Sequence, residues 1–297
     1  MKKFIVEAEF HNMKISQYLR EKGYSGRGIR NVEVYLNGKR TKTTKQVKKN
    51  ARLLVKEKEK EVGIRSIQMD LKIMYEDKNL LIIDKDPYLV VHPTTKKTDL
   101  TLANGVIYYL QEQTGKIQPP RFFNRLDMNT SGLIVVAKNA YTQAFLQSDK
   151  EKVSKFYQAI VKGIVKEDEM MIEIPIGKEG DELRRKEMSP EEGGQTAKTH
   201  MRVLERFPNE DLTLIELELF TGRTHQIRAH MSLVGHPILG DELYGGEDTR
   251  AKRQLLHAFK LIFTDVESGE KIQVQAPLPN DFKEILHIAN WFQSHSD

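Results

Sequence analysis

The sequence predicts an α+β fold, with a mainly antiparallel sheet and helices in a large domain that follows a small basic one. Three observations carry this. Short apolar runs bounded by polar turn residues recur along the chain, as half-buried or buried strands require. Helical patterns interrupt those runs without regular alternation, which disfavours a doubly wound parallel sheet. The length of 297 residues exceeds the single-domain mode of about 100 to 150, and the charge is divided unevenly along it.

Ile15, Tyr18 and Leu19 are three and four apart and predict one face of a short helix ending near Gly23. After the Gly26-Arg27-Gly28 step, Val34-Tyr35-Leu36-Asn37-Gly38-Lys39 places an Asn-Gly turn behind a β-prone run, a hairpin signal. Leu53-Leu54-Val55 is a further short strand, and the charged run at 56–61, with no apolar face, reads as a linker. The expected division is therefore residues 1–62 and 63–297. Beyond it, strands are expected at 71–75, 80–84, 89–91, 133–137, 156–162, 212–219 and 271–275. Helices are expected at 140–148, at 224–234 (stopped by Gly235 and Pro237) and at 281–293.

Residues 1–60 hold 17 Lys+Arg against 6 Asp+Glu, whereas the remainder holds 30 against 36, so a chain of net charge +5 begins as a polycation. Such asymmetry fits attraction to nucleic acid through counterion release, or simply a solvated basic surface. The absence of cysteine excludes disulfides, thiolate metal sites and thiol nucleophiles. No apolar run approaches the roughly 18 residues of a membrane helix, and Glu7 interrupts the start before a signal peptide could form, so neither membrane insertion nor secretion is expected. His225 and His230 are turned about 140° apart on a helix and cannot share a metal. Ser131 lacks the Gly-x-Ser-x-Gly elbow.

Two segments hold candidate chemistry. In Arg121-Phe122-Phe123-Asn124-Arg125-Leu126-Asp127-Met128-Asn129-Thr130-Ser131-Gly132 a polar turn lies between apolar flanks. Asp127 there is either the acceptor of an Asx-turn or a half-buried carboxylate kept ionised by a cation and able to act as nucleophile or base. In Thr221-Gly222-Arg223-Thr224-His225-Gln226-Ile227-Arg228 a strand gives way to a helix, and Arg223 stands beside a helix N-terminus that favours anions. Its arginines otherwise serve in surface ion pairs. Tyr157 and Phe156 point to opposite sides of one strand, so one of them faces the core.

Together these segments resemble the RluA-type pseudouridine synthase family, whose hallmark is the Arg-Leu-Asp-x-x-Thr-Ser-Gly loop, here Arg125 to Gly132. Four stretches agree in the same order: Val90-Val91-His92-Pro93, Lys155-x-Tyr157 through Gly163, Gly222 to Arg228, and His236-Pro237-Ile238-Leu239-Gly240-Asp241 through Gly245. The likeness covers roughly residues 70–280. The N-terminal unit more loosely resembles the αL-type RNA-binding domain of RNA-modifying enzymes and a ribosomal protein. Two departures stand out. Asn124 replaces the family's usual His, and the usual Lys-Pro-x-Gly turn is here Lys85-Asp86-Pro87-Tyr88-Leu89.

The resemblance implies an α+β catalytic domain, with a large antiparallel or mixed sheet, flanking helices and a central cleft, behind a small α/β RNA-binding domain. It implies an isomerase that turns specific uridines of large-subunit ribosomal RNA or transfer RNA into pseudouridine, with Asp127 as the catalytic carboxylate. By the same similarity Arg125 fills the space left by the flipped base, Tyr157 packs on the uracil, and Arg223 pairs with Asp127. No cofactor or metal is implied; a cytoplasmic monomer is expected. The alternatives are a non-catalytic RNA-binding or ribosome-assembly factor on the same fold and, more weakly, a hydrolase that would release free uracil.

Overall fold

The computed structural model describes residues 2–57, 63–93, 100–149 and 152–294. Residues 2–57 form their own sheet. It comprises β1 (Lys2–Ile5), β2 (Val32–Leu36), β3 (Lys39–Thr41) and β4 (Arg52–Glu57) in the order β1-β4-β2-β3, all pairs antiparallel. Helices α1 (Ile15–Glu21) and α2 (Gly26–Arg30) precede β2. The Asn-Gly hairpin is present: Asn37 and Gly38 take φ of 48° and 82°, the left-handed pair that lets two residues reverse a twisted ribbon. Ile15, Tyr18 and Leu19 are fully buried beneath this sheet with Val34, Leu53 and Val55. The charged run at 56–61 begins inside β4, and residues 58–62, the rest of the expected linker, lie outside the described residues.

The larger part is α+β. Its strands are β5 (Ile73–Glu76), β6 (Leu80–Lys85), β7 (Ser131–Ala137), β8 (Val153–Lys162), β9 (Glu169–Ile172), β10 (Ile176–Gly177), β11 (Lys186–Glu187), β12 (Thr199–Phe207), β13 (Leu212–Leu219), β14 (Leu256–Thr264) and β15 (Lys271–Gln275). The helices are α3 (Leu102–Thr114), α4 (Ala140–Gln147), α5 (Gln226–Leu233) and α6 (Asn280–Ser294). Nine strands form one mixed sheet in the order β5-β6-β7-β14-β8-β13-β12-β9, with β15 on β14, while β10 and β11 pair apart. Among the described residues only the short β7–β14 pairing is parallel.

Both faces of this sheet are covered, which explains why strands such as β6 and β7 read as unbroken apolar runs. Leu81 and Ile83 meet Leu102, Val106 and Leu110 of α3, whereas Leu80 and Ile82 meet Leu146 of α4 and Phe263. Farther along, α6 lays Phe282, Ile285 and Ala289 on Ile160, Leu212 and Leu214. On the remaining face Ile227 and Met231 of α5 pack on Tyr157, Ile215 and Leu217.

Residues 89–91 and helix α3 depart from the expectations. Residues 89–91 are not a strand, because the Val90 and Val91 carbonyls accept from Leu102 N and Ala103 N at 2.8 and 3.0 Å, closing the first turn of α3 instead of joining a ladder. Helix α3 itself carries Gly105 and a Val-Ile-Tyr-Tyr run of low helix propensity that hides it. Gly105 is there for close packing, since a Cβ would come within 2.8 Å of Met69.

Candidate active site

The segment preceding β7 is fixed from several sides. Asn124 donates from Nδ2 to Leu133 O at 3.1 Å and accepts from Val135 N at 2.8 Å through Oδ1, so the amide that replaces the usual His lashes the loop to β7. Gly132 has φ of 110°, and a Cβ there would lie 2.3 Å from Ala258 O; only glycine lets β7 approach β14 this closely.

Two buried cations grip the loop beneath Asp127. Lys85 donates from Nζ to Met128 O, Leu89 O and Asp86 O at 3.0, 3.0 and 2.8 Å. Burial, reinforced by repulsion from Arg253, pushes its ammonium down to about 7. Arg253 donates from Nη1 to Asn129 O at 3.0 Å and pairs with Asp281 of α6 through Nε and Nη2 at 2.6 and 2.9 Å. Ser131 Oγ lies 2.9 Å from His257 Nδ1.

Burial, then the charge of Arg253, holds the His257 imidazole down to about 4 from an ordinary 6.5. The unfolded chain therefore takes up, between those values, a proton that the folded chain refuses. Stability from this group is present above pH 6.5 and is lost as the pH falls toward 4, by about 3 kcal/mol. Urea titrations at pH 7 and pH 4 should show His257→Leu losing that much less on acidification than the wild type. Parallel losses would place the acid sensitivity elsewhere.

Asp127 lines a cleft of about 870 Å³ together with Val91, His92, Arg125, Tyr157, Arg223 and Arg228. Its side chain is 28% exposed, and Oδ2 accepts from Arg228 Nη1 at 2.9 Å. Arg228 is held by the fully buried Asp241, which accepts from Nε and Nη2 at 2.7 and 2.8 Å, a bidentate fork that aims the remaining nitrogen at the cleft. The Tyr244 ring lies 5.0 Å from the guanidinium carbon. One cation shared between two carboxylates leaves a net negative charge, and Asp127 is the acid that faces the open space. Hydrogen bonds to Asp241, the two carboxylates' charges and the bond to Asp127 together raise the Arg228 guanidinium against its burial, so it stays charged.

The expected pairing of Arg223 with Asp127 is not what the structure shows. Arg223 is exposed at the cleft mouth and its Nε donates to Thr196 O at 3.0 Å. The reason lies at His225, which takes a left-handed φ of 56° and delays α5 to Gln226, so that the inward face of the helix presents Arg228. The helix thus starts later than residue 224. Gln226 and His230 serve structure: Gln226 Nε2 donates to Lys198 O and Thr199 Oγ1, and His230 is within hydrogen-bond distance of Thr199 Oγ1 and Ile174 O. His225 Nε2 stands 3.8 Å from Asp127 Oδ2, and burial pushes its imidazole down toward the neutral form.

Tyr157 is only 5% exposed, packed in the core against α5 while its ring borders the cleft; burial and the nearby Asp127 charge push its phenol up. Arg125 is exposed at the mouth and makes no hydrogen bond or ion pair among the described residues. Sequence reasoning gave no role to Asp241, Lys85, Arg253 and His257. The available signal was a charged or polar side chain ending or interrupting an apolar run, as in Leu80–Lys85 and Leu255-Leu256-His257-Ala258. Among the described residues no group of three His, Asp or Glu could hold a metal ion, and no helix is long and apolar enough to cross a membrane.

A carboxylate and a guanidinium facing a cleft of about 870 Å³, on a mixed sheet that follows a basic unit, fit the class of enzymes that act on nucleic acid. The comparisons with known proteins agree. Residues 79–233 match the family model described as RNA pseudouridylate synthase. The chain is 36% identical over 264 residues to the uncharacterised RNA pseudouridine synthase YlyB of Bacillus subtilis, covering 87% of this chain and 86% of that one. It is 38% identical over 236 residues to ribosomal large subunit pseudouridine synthase D of Pseudomonas aeruginosa, covering 74% and 72%. The solved structure of human RNA pseudouridylate synthase domain containing 4 superposes with a TM-score of 0.60 at 25% identity, over 73% of this chain and 92% of that one. The chain belongs to the RNA pseudouridylate synthase family, in its RluA-type branch. It is an isomerase of uridine in RNA, and the catalytic reading prevails over a purely structural RNA-binding role.

Proposed function

We propose that the chain converts specific uridines of structured RNA, large-subunit ribosomal RNA first and transfer RNA second, with Asp127 as the catalytic carboxylate. The observation that carries this is the half-buried Asp127 turned into the cleft, with a single guanidinium shared between it and Asp241. Ribosomal RNA is preferred because relatives such as the Pseudomonas aeruginosa protein are named for the large subunit. The carboxylate acts at the sugar. The N1–C1′ bond breaks, the detached uracil turns in place, C5 bonds to C1′, and the hydrogen leaves C5 while N1 gains one. Because the base must not be intercepted by water, the apolar wall of Leu126, Tyr157 and Leu219 matters as much as the acid.

A stacked uridine reaches Asp127 only after extrusion, at a cost of a few kcal/mol. Arg125, exposed and without an ion pair among the described residues, fills the vacated stack; the Tyr157 ring packs on the flipped uracil; Arg223, at the mouth, holds phosphate. The unit of residues 1–62 adds backbone affinity through its exposed lysines. The protein works as a cytoplasmic monomer without metal. Incubating unmodified ribosomal and transfer RNA with the protein and mapping pseudouridine at nucleotide resolution tests the reading. Free uracil in place of pseudouridine would make it a hydrolase, and no change in any RNA would overturn the catalytic role.

Lys42, Lys45, Lys48 and Lys49 all lie on the basic unit and are all exposed. Replacing these four with Gln should flatten the dependence of log affinity on log salt by roughly 0.7 to 0.9 for each phosphate that is no longer neutralised. Fluorescence anisotropy across a salt series measures the slope. An unchanged slope would show that these lysines do not touch the backbone of the RNA.

A further inference from the structure

The turn after β6 contains a residue that its surroundings do not explain. Tyr88 takes φ of 66°, a left-handed conformation that is unfavourable for L-residues and that bulky side chains rarely occupy. The ring does not recover that cost by burial, since Tyr88 is 55% exposed. It stands at the position where the resembling family's four-residue turn ends in Gly, the residue that would meet the conformation without strain.

The turn is nonetheless held rigidly, and held to the active-site loop. Lys85 Nζ donates to the carbonyls of Asp86 and Leu89, on either side of Tyr88, and with its third hydrogen to Met128 O, next to Asp127. Lys72 pairs with Asp86 at 2.6 Å from the neighbouring strand side. Two residues beyond Tyr88 the chain enters the wall of the cleft at Val90, Val91, His92 and Pro93. A left-handed backbone position that bears an exposed aromatic side chain is thus flanked by carbonyls that one buried ammonium ties to the loop carrying Asp127. Backbone strain of this kind persists where the surrounding structure over-determines it, and functional rims are where it collects.

We propose that Tyr88 is a stacking platform on the rim of the cleft for an unpaired base of the RNA substrate, next to the extruded uridine. The proposal rests on the reading of the Asp127 cleft as the RNA site and adds to it an interaction particular to this chain. A phenol ring offers a face to any base, so it contributes affinity and register without reading sequence. Because Lys85 links the two, the platform keeps its distance from Asp127 when the substrate enters.

The test compares Tyr88→Gly and Tyr88→Phe with wild type, using an unmodified transcript of large-subunit ribosomal RNA as probe. Thermal unfolding, Kd by anisotropy and steady-state pseudouridine formation are read on all three. Tyr88→Gly should melt at or above the wild-type temperature, because the left-handed strain is gone, yet bind the transcript about tenfold more weakly, the size of one missing aromatic–base stack. Its KM should rise with kcat nearly kept. Tyr88→Phe should match wild type within about twofold, since the ring and not the hydroxyl carries the interaction. Tyr88→Gly with unchanged Kd and KM would overturn the platform while wild-type turnover leaves the Asp127 reading standing. Wild type that binds but makes no pseudouridine, with Tyr88→Gly still weakened, would sink the Asp127 reading and keep the platform.

Discussion

Asp127→Asn is expected to abolish pseudouridine formation, by about 10³-fold or more, with RNA affinity changed by less than about threefold. The side chains are isosteric, and the amide oxygen of Asn accepts from Arg228 Nη1 as the carboxylate does. What disappears is the negative charge that faces the cleft. Arg228 remains balanced by Asp241, so the Asp127–Arg228–Asp241 group changes from net negative to neutral without a buried charge being stranded. Single-turnover conversion and equilibrium binding of the same transcript separate the two quantities. Turnover above a few per cent of wild type would remove Asp127 from the chemistry, and a large drop in affinity would make it a binding residue.

Arg228→Met should do damage of two kinds. Asp241 is 1% exposed and its carboxylate is held by the Arg228 fork, so removing the arginine strands a buried charge at a cost of about 3 to 5 kcal/mol. Asp127 loses its cation at the same time, and turnover should fall at least 10²-fold. The double variant Arg228→Met with Asp241→Leu separates these effects. With both charges gone the interior is apolar again, so urea unfolding should recover most of the missing stability while turnover stays down. Recovery of turnover as well would mean that Asp127 acts without a neighbouring guanidinium. Failure to recover stability would assign the cost to the packing of Arg228 against Tyr244.

Local chemistry was the legible part of the fold. The Asn37-Gly38 reversal, the strands Leu212–Leu219 and Lys271–Gln275, and the helices α4 and α6 could be read to within a residue or so of their ends, because turn residues and periodicity are properties of neighbours in sequence. Strand β12, whose side chains are partly solvated, and β14, which meets β7, β8 and β15 at once, offered no such signature. Residues 89–91 had the composition of a strand, but their carbonyls found the free N–H groups of α3, a partner no local pattern reveals.

The order and spacing of the motifs by themselves determined the family, and the pattern of strands and helices the α+β class, since those rest on residue identity along the chain. Only the tertiary structure decided which arginine serves the acid. Arg223 and Arg228 lie five positions apart in one motif, and a left-handed residue between them sets where the helix begins and which guanidinium is turned inward. The same holds for Lys85, Arg253 and Asp241, whose influence comes from being buried beside the loop. Burial and the sharing of a counter-ion depend on distances through space, and segments as far apart in sequence as Lys85, Asp127 and Arg253 meet only once the sheet has formed.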